Sequence, residues 1–198
     1  MLTYSGIDKE AFVKEIVWHR EQDAIAQGRY GGEVNGHWKG CAVACSLRSY
    51  AKLKGLPLQE SYDNHADFET FGIWPEWLAR LEDGLFEGMP AEDALFWPER
   101  LAKAVPVGVN LDKVKWQFLA FLQCENLERI QSLSIRDDLK KEVLDAIQCV
   151  LDVLEKAIET GVWDAQAARS AAWSAARSAA RSAEWSAAES AAESAAWS

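Results

Sequence analysis

Apolar side chains recur at three- and four-residue spacing over most of this chain, the signature of helices that bury one face. Over residues 8–27, Phe12, Ile16, Val17 and Ala24 follow an acidic cap at Asp8, and Gly28 stands where the run stops. Cys41, Ala44, Cys45, Leu47, Tyr50 and Ala51 predict a second helix over 41–53, closed by Gly55-Leu56-Pro57. Pro75 opens a third, with Trp74, Trp77, Leu78, Leu81, Leu85 and Phe86 on its apolar stripe and Gly88 at its end. Short helices follow over 91–96 and 98–104, punctuated by proline. Longer ones run over 111–124 and 127–160, and Gly161 supplies the stop. No run alternates apolar and polar residues long enough for a convincing strand, so the pattern predicts an all-α fold, a helical bundle.

Two stretches break the pattern. Residues 28–40 place Gly28, Gly31, Gly32, Gly36 and Gly40 around Tyr30, His37 and Trp38, a composition for turns and close backbone approach and the first place to look for function. Residues 59–69 read as a polar connection.

Beyond Gly161 the character changes. From Ala167 the chain repeats Ala-Ala-x-Ser, with x being Arg169, Trp173, Arg177, Arg181, Trp185, Glu189, Glu193 and Trp197. Alanine is the best helix former, and about 30 such residues exceed the length at which an isolated helix becomes marginally stable. The expected organisation is therefore a helical globular domain over 1–161 and a long Ala/Ser-rich C-terminal helix over 162–198. A four-residue repeat advances about 40° per step around a helix, so its variable residue drifts from face to face. The variable positions run from basic to acidic, against the helix macrodipole, which suggests a partner. Two antiparallel tails centred on Trp185 would oppose Arg177 to Glu193, Arg181 to Glu189 and Trp173 to Trp197, as a two-fold interface requires. Homo-oligomerisation through this helix is one expectation. Packing of the tail on its own domain, or repeat expansion without a specific partner, are the others.

Composition narrows the partners. With 49% hydrophobic and 26% charged residues the chain is not disordered, and a net charge of -10 argues against a nucleic-acid ligand. No apolar stretch reaches the ~18 residues a membrane span needs, and residues 1–6 lack the features of a signal peptide, so the expected location is the cytoplasm. Four scattered cysteines do not make a disulfide framework. Cys124 and Cys149 lie in apolar helical stripes and read as core.

Candidate chemistry gathers near the glycine-rich loop. His37, Cys41 and Cys45 recur every four residues and His65 follows, the residue types that zinc prefers, although the spacing is unusual for a structural site. The same residues could form a thiol nucleophile with His65 as base, or Cys41 and Cys45 could be small buried hydrophobes. With Trp38 and Trp74 they define a candidate pocket for a planar ligand, one edge of an aromatic set that includes Tyr30, Tyr62, Phe68, Phe71 and Trp77. The acids Glu82, Asp83, Glu87, Glu92 and Asp93 read as a solvated helix face. Phosphate loops, nucleophile elbows and His-Glu-x-x-His are absent, so neither a cofactor nor a metal is assigned and no catalytic residue is named.

Three blocks carry a resemblance. They are His37-Trp-Lys-Gly-Cys41-Ala-Val-Ala-Cys45-Ser-Leu47, then residues 72–88, then Trp97-Pro-Glu-Arg-Leu101 with Ala104-Val-Pro-Val-Gly108. They resemble an uncharacterised family of bacterial and phage helical proteins with Ala-rich repetitive tails, sometimes labelled immunity proteins. Ala44 stands where the family pattern commonly has glycine, and Trp74 where it usually lacks tryptophan. His65 falls where the family also shows histidine. The resemblance implies microbial conflict and no established activity. The expected function is a non-enzymatic binding protein, an immunity or anti-defence factor that captures a protein or small molecule. The alternatives are a thiol- or zinc-dependent enzyme centred on Cys41, Cys45 and His65, and a nucleotide-type ligand sponge.

Overall fold

The structure, a computed structural model, describes residues 1–171, 173 and 177. It is mostly helical and divides into two compact units, Met1–Asp112 and Lys113–Ser198. Gly161, where the tail was expected to begin, falls inside the second unit. Among the described residues no helix is long and apolar enough to cross a membrane.

In the first unit α1 spans Lys9–Glu21, with the Asp8 carboxylate accepting from the Ala11 N–H as its cap. The helix stops six residues short of the expected 27. Asp23 adopts φ 53°, a left-handed turn that Asp tolerates better than most residues. The chain then extends, and residues 24–26 pair with Gly40 through Ala26 N–H to Gly40 O at 2.8 Å and Gly40 N–H to Ala24 O at 2.9 Å. Between these partners the glycine-rich segment folds into a hairpin, β1 (Glu33–Val34) and β2 (His37–Trp38). Asn35 and Gly36 turn it, both with positive φ, the two-residue geometry that matches strand twist. The strands are two residues each, too short for alternation to show, so the expectation of no strand fails here for want of length.

The helices α2 (Ala42–Leu53), α3 (Ala66–Thr70), α4 (Glu76–Gly88), α5 (Ala91–Ala94) and α6 (Trp97–Ala104) complete the unit. Helix α2 is central. Its buried face is built largely of small residues, Ala42, Ala44, Cys45, Ser46, Ser49 and Ala51, so α1, α4 and α6 can all approach it. Trp74 fills the core beside it, edge-on to Tyr4 and Phe12 and 5.1 Å from Phe68 between ring centres. An N-terminal strap closes the unit: Thr3 exchanges hydrogen bonds with residues 106–109, Tyr4 N–H donates to Ile73 O, and Tyr4 OH donates to Ala102 O.

The second unit is a helical hairpin, α7 (Val114–Ser132) and α8 (Asp137–Thr160), packed along each other. The break expected at 125–126 contains neither Gly nor Pro, and α7 runs through it to a turn at 133–136. Gly161 ends α8 at φ 73°, its N–H donating to Ala157 O. Asp164 then accepts from the Gln166 and Ala167 N–H groups and opens the helical segment 165–171. Trp116 and Trp163 stack with centres 4.5 Å apart. Cys124 and Cys149, read from the sequence as core, are exposed: a hairpin of two helices has one shared interface, and both thiols face away from it. Trp173 and Arg177 are helical and exposed, while Arg181, Trp185, Glu189, Glu193 and Trp197 lie outside the described residues.

Candidate functional site

The site of the first unit is built around α4. The buried positions of this helix are Leu78, Ala79, Glu82, Asp83 and Phe86, so the apolar stripe carries two carboxyl groups into the interior. The solvated-face reading of Glu82 and Asp83 is thereby corrected: they are 0% and 8% exposed. Ala79, on the same buried face, is small, and α4 packs against α2, α3 and α6. Glu82 has no hydrogen-bond partner for either carboxyl oxygen among the described residues, and burial pushes its carboxyl well above the ordinary range. Burial thus favours its neutral, protonated form.

Asp83 is arranged differently. Its Oδ2 accepts from Tyr30 OH at 2.8 Å, and His65 Nε2 lies 3.0 Å from the same oxygen, so the Nε2–H tautomer of the imidazole donates to it. Its Oδ1 is buried and has no partner among the described residues. The hydrogen bond to Asp83, then burial, push the Tyr30 phenol up to about 12. One turn on, Glu87 accepts from Gly28 N–H through Oε2 at 2.8 Å. Gln27 donates to Phe86 O and Met89 O, so the loop that carries Tyr30 is tied to the end of α4. Tyr30 itself is held by Tyr62 N–H donating to its carbonyl, and Gly31 permits this approach, since a Cβ there would meet Glu60 O at 2.4 Å.

Cys41, the N-cap of α2, completes the group. Its thiol and one carboxylate oxygen each from Asp83 and Glu87 all lie within 4.8 Å of one another. Burial is the main cause that pushes the Cys41 thiol up to about 12, with the Asp83 and Glu87 charges adding to it and the Ala44 and Val43 N–H groups opposing. Cys45 is fully buried, its thiol directed at Gly40 O and Ala24 O, and burial likewise raises it well above the ordinary value. Both thiols are protonated at neutral pH, the opposite of an activated nucleophile.

The remaining sequence candidates scatter. His37 is exposed on β2. Trp38 is half-buried, donating to Glu60 O with the Arg48 guanidinium 4.4 Å above its ring. Trp74 is a core residue, not a pocket wall. Among the described residues the group able to share an ion is Cys41, Asp83 and Glu87, so His37, Cys41, Cys45 and His65 do not converge as four ligands. Of the aromatic set, Tyr62 and Phe71 line a cavity of about 300 Å³ with Tyr50, Leu56 and Pro57, where Tyr50 and Phe71 stack at 4.4 Å. Asp83, Glu87 and Tyr30 were not read as one site. The available signal was the i, i+4 spacing of the two acids, which a solvated helix face shows equally often.

Fold and site together define a mostly helical protein in which a buried thiol and a buried carboxylate meet an exposed carboxylate beside a His–Asp–Tyr network. No family model matches the chain, and no curated protein or solved structure gives a match.

Proposed function

We propose that the chain is a non-enzymatic binding protein whose first unit captures a positively charged ligand at Cys41, Asp83 and Glu87, in the immunity or anti-defence setting that the sequence resemblance implies. One observation carries this reading: Asp83 Oδ1 is buried and has no partner among the described residues, while Oδ2 is held by Tyr30 and His65. A buried carboxylate oxygen without a partner costs on the order of 1–3 kcal/mol, and a bound cationic group would recover it. The protonated thiols weigh against the thiol-enzyme alternative. Native mass spectrometry of the full chain, beside the same measurement after denaturation, tests the reading. Bound mass on the wild type that is missing from Asp83→Asn is the expected result; identical unliganded masses for both would overturn it.

A second reading, capture of a planar nucleotide-type ligand, is favoured by the aromatic cavity of about 300 Å³ around Tyr50, Tyr62 and Phe71. It requires a bound mass that survives Asp83→Asn and is lost in Tyr50→Ala. The repeat tail would continue the helix at 165–171 and join copies of the chain. Light scattering of the full chain and of one cut after Gly161 is expected to give a larger mass per particle only for the full chain. Equal, monomeric masses would remove the assembly role.

A further inference from the structure

We infer that Cys41, Asp83 and Glu87 coordinate a single divalent cation of the zinc class, an inference that rests on the cation-capture reading above and gives the ligand a chemical identity. The donor set selects the ion. One sulfur and two carboxylate oxygens suit borderline ions such as zinc or cobalt(II), whereas magnesium and calcium take six or more oxygens. A tetrahedral centre with about 2.3 Å to sulfur and about 2.1 Å to oxygen spaces its ligands by roughly 3.5 Å. The three donor atoms already lie within 4.8 Å of one another, so side-chain adjustment of about 1 Å closes the set.

The surroundings point the same way. A ligating carboxylate normally has its outer oxygen held by neighbours, which aims the inner one at the ion. Asp83 has this arrangement: Tyr30 OH and His65 Nε2–H hold Oδ2, and the buried Oδ1 is left without a protein partner among the described residues. Gly28 N–H holds Glu87 in the same manner. Cys41 and Asp83 are buried and Glu87 is exposed, so the ion enters from the Glu87 side. Three protein donors leave a fourth position for water or for a group of the captured partner. Binding forms a sulfur–metal bond, and the thiol proton leaves to solvent.

The test uses the full chain stripped of metal, titrated with zinc by calorimetry and with cobalt(II) by absorption. Expected are one ion per chain and a near-ultraviolet sulfur-to-cobalt charge-transfer band. The band should vanish in Cys41→Ser and persist when Cys124 and Cys149 are both changed to serine. Glu87→Gln, at an exposed position that should not disturb folding, is expected to weaken zinc about 10-fold or more, and Tyr30→Phe, which frees the held oxygen, about 10-fold. Circular dichroism confirms that each variant is folded. No stoichiometric ion in the wild type, a band that survives Cys41→Ser, or one lost with the two surface thiols would overturn the assignment. If zinc fails to bind while an organic mass is still lost in Asp83→Asn, the metal falls and the cation-capture reading stands; if both fail, both are wrong.

Discussion

The two units use apolar residues in opposite ways. In the first, Trp74, Phe12, Phe68 and Phe86 are fully buried, and the strap at residues 3–4 locks both ends of the unit around them. In the second, α7 carries its apolar residues around the helix and not on one stripe, none of its residues is buried, and Phe121 is 56% exposed. The physical difference is the number of partners: a helix surrounded by several elements buries several faces, whereas one in a two-helix hairpin buries a single seam. The site accordingly rests on the unit whose side chains are held in place from all sides, as a group of donors fixed to within an ångström or so requires.

The largest test of this contrast is a pair of truncations. Trp74→Ala should cost about 3–5 kcal/mol by urea unfolding followed by circular dichroism, and Phe121→Ala about 0.5 kcal/mol or less. A comparable loss at Phe121 would show that α7 is covered and would erase the distinction.

A smaller effect should appear with pH. His19 is 1% exposed, and burial, aided by Arg48 and Lys52, lowers its imidazole to about 4 from the ordinary 6.5. The unfolded chain then binds the extra proton between these values, so stability is lost as pH falls from about 6.5 to about 4, by about 3 kcal/mol in all, and no further below that. Glu82 acts in the other direction. Its carboxyl is raised in the folded state, so its contribution fades as pH rises above the ordinary carboxylate value. Above the ordinary carboxylate value the two slopes oppose each other, so Glu82→Gln should steepen the rise in urea midpoint between pH 4.5 and 6.5 and remove any fall at higher pH. An acid limb without the His19 slope would mean that this ring is solvated.

The smallest perturbation is chemical labelling of thiols without denaturant. Cys124 and Cys149 should react at once with a disulfide reagent, and Cys41 and Cys45 only after unfolding. A third fast thiol would show that α2 opens readily and would weaken the picture of a rigid site.

Much of the first unit was legible because its boundaries are set by local chemistry. Asp8 caps α1, Pro75 precedes α4, and Gly161 supplies the left-handed stop of α8. The hairpin was missed because its signal is the Asn35-Gly36 pair and not alternation. At the site, Cys41 and His65 were legible as candidates from residue type. Asp83 was not, since an acid on a helix is usually solvated and its burial depends on Tyr30, His65 and Cys41 being brought against it from distant parts of the chain. The exposed Cys124 and Cys149 make the converse point: apolar spacing predicts a face but not what covers it.

What the chain determines by itself are most of the helices and the mostly helical class, because propensity, capping and periodicity act over a few residues; α3, a single short turn that starts inside the segment read as a polar connection, is too short to show that periodicity. Only the tertiary structure decided that Tyr30, Cys41, His65, Asp83 and Glu87 meet, because this needs a loop, two helix starts and one helix face from distant parts of the chain in one place. Burial then raises the Cys41 thiol and leaves Asp83 Oδ1 without a partner among the described residues, and burial is a property of the packed molecule alone.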